Sequence, residues 1–164
     1  MKHLDKLHRK ILDSESLDEQ LGLWRAEGRS IVFTNGCFDL VHRGHVEYLS
    51  AAADLGDRLI VGVNSDASVR RLKGPNRPIV DETSRQMLLA ALECVDAVVL
   101  FGEETPQQLI RKIQPDVLVK GGDYTEQTIV GADTVKAKGG IVRCIPLTPG
   151  CSTSKIEAKI KNQA

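Results

Sequence analysis

Five short apolar runs recur along the chain with almost no alternation between apolar and polar positions. They are Ile31-Val32-Phe33, Leu59-Ile60-Val61-Gly62-Val63, Ala97-Val98-Val99-Leu100-Phe101, Val117-Leu118-Val119 and Ile141-Val142-Arg143-Cys144-Ile145. Continuous β-branched runs predict strands buried on both faces, and therefore a parallel sheet. The stretches between them carry a helical period. Val46, Leu49 and Ala53 mark one helix face, with Gly56 as its stop; Met87, Leu88, Ala91 and Leu92 mark another. Thr105-Pro106-Gln107-Gln108 reads as a capping box with proline at the first helical position, leading into Leu109, Ile110 and Ile113. Ala132, Val135 and Gly139 suggest a fourth helix, and Ser152 to Lys161 a fifth.

Residues 1–29 are charged and also helical in period, with Leu4, Leu7, Leu12, Leu17, Leu21 and Trp24 as the apolar positions and Gly28 as the stop. The expected architecture is thus α/β: a Rossmann-like, doubly wound, five-stranded parallel sheet over residues 30–164, with an N-terminal helical appendage over 1–29. Right-handed crossovers would gather the strand C-termini at one edge, where ligands bind. Asn64 to about Asp81 has neither period. It holds Arg70, Arg71, Lys73 and Arg77 among Gly74, Pro75 and Pro78, and reads as a basic loop, either a solvated surface or a lid that closes on anionic substrates.

Composition narrows the function. The chain has 164 residues, and Lys+Arg and Asp+Glu both number 22, for a formal net charge of zero. A nonspecific nucleic-acid or membrane-surface binder would need a basic excess. Aromatics are 4% of the residues, too few for base-stacking platforms. No apolar run approaches the roughly 20 residues that cross a bilayer. Residues 1–20 hold no apolar h-region, so no secretion signal is expected, and Cys37, Cys94, Cys144 and Cys151 form no C-x-x-C pair, so free thiols in a reducing cytoplasm are expected.

The chemistry concentrates at Thr34-Asn35-Gly36-Cys37-Phe38-Asp39-Leu40-Val41-His42-Arg43-Gly44-His45, where the first run gives way to the first helix. Backbone N–H groups and a helix N-terminus at that turn make an anion site. His42 and His45, three apart, can project from one side of the first helical turn and donate to phosphoryl oxygens. Gly44 between them clears space for a phosphate. As an isolated H-x-x-H the pair could equally be surface residues or an adventitious metal site, yet no acidic or thiol partners stand at zinc spacing. The turn lacks G-x-G-x-x-G, and the chain lacks a P-loop, so hydride transfer and P-loop chemistry lose their support. Gly150-Cys151-Ser152-Thr153-Ser154 opens the last helix; Ser152 and Thr153 are ordinary caps or phosphate ligands. Lys120-Gly121-Gly122-Asp123-Tyr124 follows the fourth run and is either a glycine turn or a nucleoside rest. Asp39 could orient a sugar hydroxyl or cap a helix. Cys37 reads as a small filler, because no base stands ready to activate it.

F-T-N-G-C-F-D-L-V-H-R-G-H resembles the signature of the nucleotidyltransferase superfamily that shares H-x-G-H with class I aminoacyl-tRNA synthetases. The likeness extends to D-R-L-I-V-G-V-N-S-D, R-L-K-G-P-N-R-P-I, L-V-K-G-G-D-Y and G-C-S-T-S, over about residues 30–163. These blocks point to the branch of heptose 1-phosphate adenylyltransferases. The resemblance implies transfer of AMP from ATP to D-glycero-β-D-manno-heptose 1-phosphate, giving ADP-heptose and pyrophosphate for the lipopolysaccharide core. It assigns catalysis to His42 and His45. It assigns nucleotide and phosphate binding to Thr34, Asn35, Gly36, Cys37, Phe38, Lys73, Lys120, Gly122, Asp123, Ser152 and Thr153, and sugar-phosphate binding to Asp39 and Arg77. Mg²⁺ would be bridged through the phosphates, with no metal site built of side chains. The implied setting is a bacterial cytoplasmic homo-oligomer, a dimer favoured, with the heptose kinase on a separate chain. Ile156 stands where many superfamily members place an Arg after S-T, leaving Lys155 or a loop Arg to close the phosphate cradle. Two other readings are a cytidylyltransferase for glycerol 3-phosphate or a similar alcohol phosphate, which would want R-T-x-G-I-S-T where Thr148-Pro149-Gly150 stands, and a nucleotide-binding regulatory module without catalysis.

Overall fold

A computed structural model describes residues 2–122, 125 and 128–162. The elements in chain order are α1 (Lys2–His8), β1 (Ile11–Leu12), α2 (Ser14–Ala26), β2 (Ile31–Gly36), α3 (Arg43–Ala53), β3 (Arg58–Asn64), α4 (Asp66–Lys73), α5 (Glu82–Ala90), β4 (Ala97–Phe101), α6 (Gln107–Ile113), β5 (Val117–Gly121), α7 (Ala132–Lys136), β6 (Ile141–Ile145) and α8 (Thr153–Lys161). All the strand pairs are parallel, in the order β1-β4-β3-β2-β5-β6. The continuous runs thus became strands of a parallel sheet, as a strand covered on both faces requires.

The sheet has six strands, not five. The extra one, β1, lies within the N-terminal stretch expected to be helical throughout. Ile11 and Leu12 pair with Val98 and Val99, and the Val98 N–H donates to the Lys10 carbonyl at 2.7 Å. Two residues are too few to show a period, so only the distant partner strand makes them a strand. The following helix is set by its own sequence. The Asp13 carboxylate accepts from the Ser16 N–H at 2.9 Å, and the Asp13 N–H donates to Ser16 Oγ at 3.0 Å. Leu17, Leu21 and Trp24 then enter the core beside Phe33, Ile110 and Leu118.

Two apolar layers cover the sheet. One gathers α2, α6 and α7 with the side chains of Phe33, Ile60 and Leu118; the other gathers α3 and α5 with those of Val32, Val61 and Val98. Three local expectations change. α3 buries Tyr48, Leu49 and Ala52 while Val46 is exposed, and α5 buries Arg85, Leu89 and Ala90 while Leu88 is exposed. Leu49 is buried as expected, but the remaining buried positions of both helices differ from those the periods marked. Thr105 does not cap α6: its N-cap is Pro106, with no side-chain cap bond. Most substantially, the segment 64–81 is not an irregular loop. Ser65 caps α4 by accepting from the Ser68 N–H at 3.2 Å, and the helix runs to Lys73, carrying Arg70 and Arg71 on exposed positions. Ile79 and Val80 beyond it are tied by their N–H groups to Asp39. The segment is capped at Ser65 and tied to Asp39 at Ile79 and Val80.

Candidate active site

β2 pairs with β3 on one side and β5 on the other, so chain order reverses there. A crevice opens beyond the strand C-termini at such a switch point. Three connected clefts of about 170, 210 and 320 Å³ occupy it, and Asn35 and Lys120 line all three. Lys120 Nζ lies 3.4 Å from Asn35 Oδ1, and burial holds its ammonium below the usual lysine range. A larger cleft of about 730 Å³ lies elsewhere, at the ends of β1 and β4, away from both histidines.

His42 is the N-cap residue of α3 and His45 its third residue. Their rings stack with centroids 3.9 Å apart and planes inclined by 21°. The Phe38 ring meets His45 edge-on at 5.3 Å. The His42 N–H donates to His45 Nδ1 at 3.4 Å, which leaves Nε2 to carry the proton of the neutral ring. Burial, and next the His42 charge, push the His45 pKa down to about 4, against a Leu40 backbone hydrogen bond that raises it. His45 is therefore neutral at pH 7, a donor rather than a cation. His42 Nδ1 is buried with no hydrogen-bond partner among the described residues.

Gly44 has a different reason from the one expected. A Cβ there would lie 2.9 Å from Cys151 Cβ and 3.2 Å from His42 Cε1 and Nδ1. The missing side chain makes room for the segment leading into α8 and for the His42 ring. Ser152 caps α8, accepting from the Lys155 N–H at 3.2 Å, and Thr153 Oγ1 donates to the Leu40 carbonyl at 3.4 Å. The G-C-S-T-S block thus closes onto the H-x-G-H turn.

The remaining expected residues divide by what their side chains already do. Thr34 is buried, its hydroxyl 2.6 Å from that of Tyr48, whose pKa burial pushes up to about 12. Gly36, Cys37 and Phe38 line the clefts, and burial raises the Cys37 thiol pKa. Phe38 has φ +48°, rare for a bulky residue. Lys73 ends α4 and lines the 320 Å³ cleft with Asn64, Glu104 and Thr105. The Gly122 N–H donates to the Ile145 carbonyl at 2.9 Å, and its φ of +115° suits glycine. Asp123 lies outside the described residues. Asp39 is buried with its oxygens engaged. Oδ1 accepts the Ile79 and Val80 N–H groups at 2.7 and 3.0 Å, and Oδ2 pairs with Arg77, which also reaches Glu157 on α8 at 2.9 Å. Asp39 and Arg77 therefore tie the turn to α8.

Sequence reasoning missed Arg85. Its side chain is fully buried and donates to the carbonyls of Val80 at 3.0 Å and Cys37 at 2.6 Å, and to the Asp66 carboxylate at 2.8 Å. An Arg on a helix reads as a surface charge, because Arg is almost never fully buried unless paired. Among the described residues, no three His, Cys, Asp or Glu side chains gather as metal ligands, and no helix is long and apolar enough to cross a membrane.

The family model described as cytidylyltransferase-like matches residues 33–159. Bifunctional protein HldE of Trichlorobacter lovleyi is 57% identical over 151 residues, covering 92% of this chain and 31% of that protein. Bifunctional protein HldE of Rhodopseudomonas palustris, strain CGA009, is 56% identical over 153 residues, again 31% of its length. The chain spans about a third of the length of these curated relatives. Among solved structures, the lipopolysaccharide core biosynthesis protein of Thermoplasma volcanium is 31% identical with a TM-score of 0.59, over 74% of this chain and 98% of that one. Pantoate-β-alanine ligase from Francisella tularensis, complexed with β-γ ATP and β-alanine, shares the fold at a TM-score of 0.60 and 14% identity, over 92% of this chain and 76% of that one.

Proposed function

The chain belongs to the cytidylyltransferase-like family, and from that premise we propose that it transfers AMP from ATP to D-glycero-β-D-manno-heptose 1-phosphate, releasing pyrophosphate. The observation that carries adenylyl transfer is the stacked, desolvated histidine pair at the N-terminus of α3. The attacking group is a phosphate oxygen already ionised at neutral pH, so no side chain must remove a proton. What the site must supply is charge stabilisation and alignment for an in-line displacement. His45, neutral by burial, offers its Nε2–H to the α-phosphoryl group as charge builds in the transition state. His42, stacked on His45, is the second donor to the same group. The β2–α3 turn from Thr34 to Phe38 supplies backbone donors. Ser152 and Thr153, held against Leu40, take the pyrophosphate end. Lys73 and Lys120 flank the cleft as counter-charges for two anionic substrates.

Mg²⁺ would be carried by the triphosphate, since Mg²⁺ keeps several waters and binds largely through substrate phosphates. When bound, the ion would neutralise the β- and γ-phosphates of ATP. The heptose acceptor rests on the names and identity of the relatives and on the K-G-G-D-Y and G-C-S-T-S blocks. The acceptor is itself the product of a sugar kinase, on a separate chain or, as the bifunctional names of the longer relatives raise, on one polypeptide. A bacterial cytoplasmic dimer completes the reading. A regulatory module without catalysis is disfavoured because both histidines are in place, and a glycerol 3-phosphate cytidylyltransferase by the absence of the R-T-x-G-I-S-T block. Pyrophosphate release should be measured with ATP or CTP against heptose 1-phosphate and glycerol 3-phosphate, with and without Mg²⁺. Turnover confined to ATP, heptose 1-phosphate and a divalent ion is expected; preference for CTP with glycerol 3-phosphate would overturn the reading.

A further inference from the structure

We propose that Arg85 is a positioning residue for phosphoryl transfer: by holding the Cys37 carbonyl, it aims the Phe38 N–H into the site as a fixed donor for a phosphoryl oxygen. The inference rests on the adenylyl-transfer reading above and adds a residue to its machinery. Arg85 is fully buried on α5, yet none of its bonds serves α5 itself. Its guanidinium spans three segments: the β2–α3 turn at the Cys37 carbonyl, the entry to α5 at the Val80 carbonyl, and the start of α4 at Asp66. A planar fork can satisfy three acceptors in fixed directions, which the single nitrogen of a lysine cannot.

The consequence follows from peptide geometry. In a trans peptide the C=O of one residue and the N–H of the next point in opposite directions. With the Cys37 carbonyl drawn towards α5 at 2.6 Å, the Phe38 N–H faces away from α5, and Gly36, Cys37 and Phe38 line a cleft together with His45. No hydrogen bond among the described residues uses that N–H. Phe38 also holds φ +48°, a conformation that a bulky side chain keeps only where its surroundings over-determine it, and such residues cluster at functional sites. The short bond from Arg85 supplies that constraint at the adjoining peptide. A donor set in place before the substrate arrives needs no reorganisation as charge develops, which is the condition for electrostatic catalysis.

The test uses Arg85→Lys and Asp66→Asn in the full chain, with two readouts. Steady-state turnover with ATP and the sugar phosphate should show kcat reduced about tenfold in Arg85→Lys, with the KM for ATP within about twofold, as expected for loosened alignment rather than lost binding. The amide ¹H–¹⁵N resonance of Phe38 should shift downfield when α,β-methylene-ATP binds the wild type, and shift much less in the variant. Loss of a buried Arg can prevent folding. Asp66→Asn then decides, because that side chain is 22% exposed and the change removes only the charge that steadies Arg85. It should lower kcat about threefold and weaken the Phe38 response. A folded Arg85→Lys with wild-type kcat, or Asp66→Asn with wild-type kcat and an unchanged Phe38 shift, overturns the proposal. So does a fall in kcat with the Phe38 response intact, which marks Arg85 as structural glue. The spectral arm needs only the ATP analogue. A wild-type Phe38 amide that ignores the analogue therefore refutes the positioning role while adenylyl transfer stands, and an unreactive heptose acceptor leaves the spectral arm to decide.

Discussion

Gly44→Ala tests the arrangement of the histidine pair most directly. By helix propensity alone the substitution should stabilise α3, since Gly in a helix costs roughly 0.5–1 kcal/mol relative to Ala. The surroundings reverse that gain. The new methyl would lie 2.9 Å from Cys151 Cβ and 3.2 Å from two ring atoms of His42, whereas apolar carbons rest about 3.5–4.0 Å apart. Roughly 0.6–1.1 Å must be found on the Cys151 side and a few tenths of an ångström on the His42 side. Overpacking of this kind costs about 1–3 kcal/mol, so the net loss of stability should be about 0–2.5 kcal/mol after the helix gain. Catalysis should suffer more. A misplacement of about 1 Å can cost 10²-fold, and here the displaced group is the ring stacked on His45. We expect kcat for pyrophosphate release to fall about 10- to 100-fold, a larger effect than the stability loss alone would produce. Thermal unfolding and steady-state kinetics should be measured on Gly44→Ala, Cys151→Gly and the double variant. Cys151→Gly removes the tightest contact, so the double variant should recover stability relative to Gly44→Ala and part of its activity. Wild-type kcat and melting temperature in Gly44→Ala would refute the close packing of α8's lead-in against the histidines.

Three further outcomes are expected. His42→Ala and His45→Ala should each lower kcat about 10²–10³-fold, as loss of one transition-state donor does, while calorimetric affinity for ATP changes little; near-wild-type turnover in either would remove the assignment. Stability should fall as pH drops from about 6.5 to about 4 and be flat above, because the unfolded chain takes up a proton at His45 that the folded chain, with its pKa held down to about 4, refuses. Each pH unit in that window is worth at most about 1.4 kcal/mol, less for the ring's partial exposure, and urea unfolding at pH 5 and 7 should show a smaller difference in His45→Gln. Asp39→Ala should destabilise by about 2–4 kcal/mol, since it takes the acceptor from two backbone N–H groups and one of two carboxylate partners from Arg77, which keeps Glu157; a loss below about 1 kcal/mol in chemical denaturation would show that the lock is not structural.

The sequence by itself determined the parts whose signal is local. Continuous apolar runs located β2 to β6, helical periods located most of the covering helices, and H-x-G-H at a strand-to-helix turn marked the candidate site. Each depends on residues within a few positions of one another, where strand and helix periods are visible. Tertiary structure decided the rest. Ile11 and Leu12 became a strand only because Val98 and Val99 accept them, and Arg71 and Lys73 belong to a helix capped at Ser65 rather than to an irregular loop. Asp39 and Arg77 gained structural partners in Ile79, Val80 and Glu157 that only the fold brought to them. Gly44 read as a gap for phosphate until Cys151 filled it. Arg85 went unmarked in the sequence, and only the fold surrounds it with three acceptors from separate segments. A polar side chain's role is fixed by the partners that replace its water, and those partners arrive from far along the chain only when the sheet assembles.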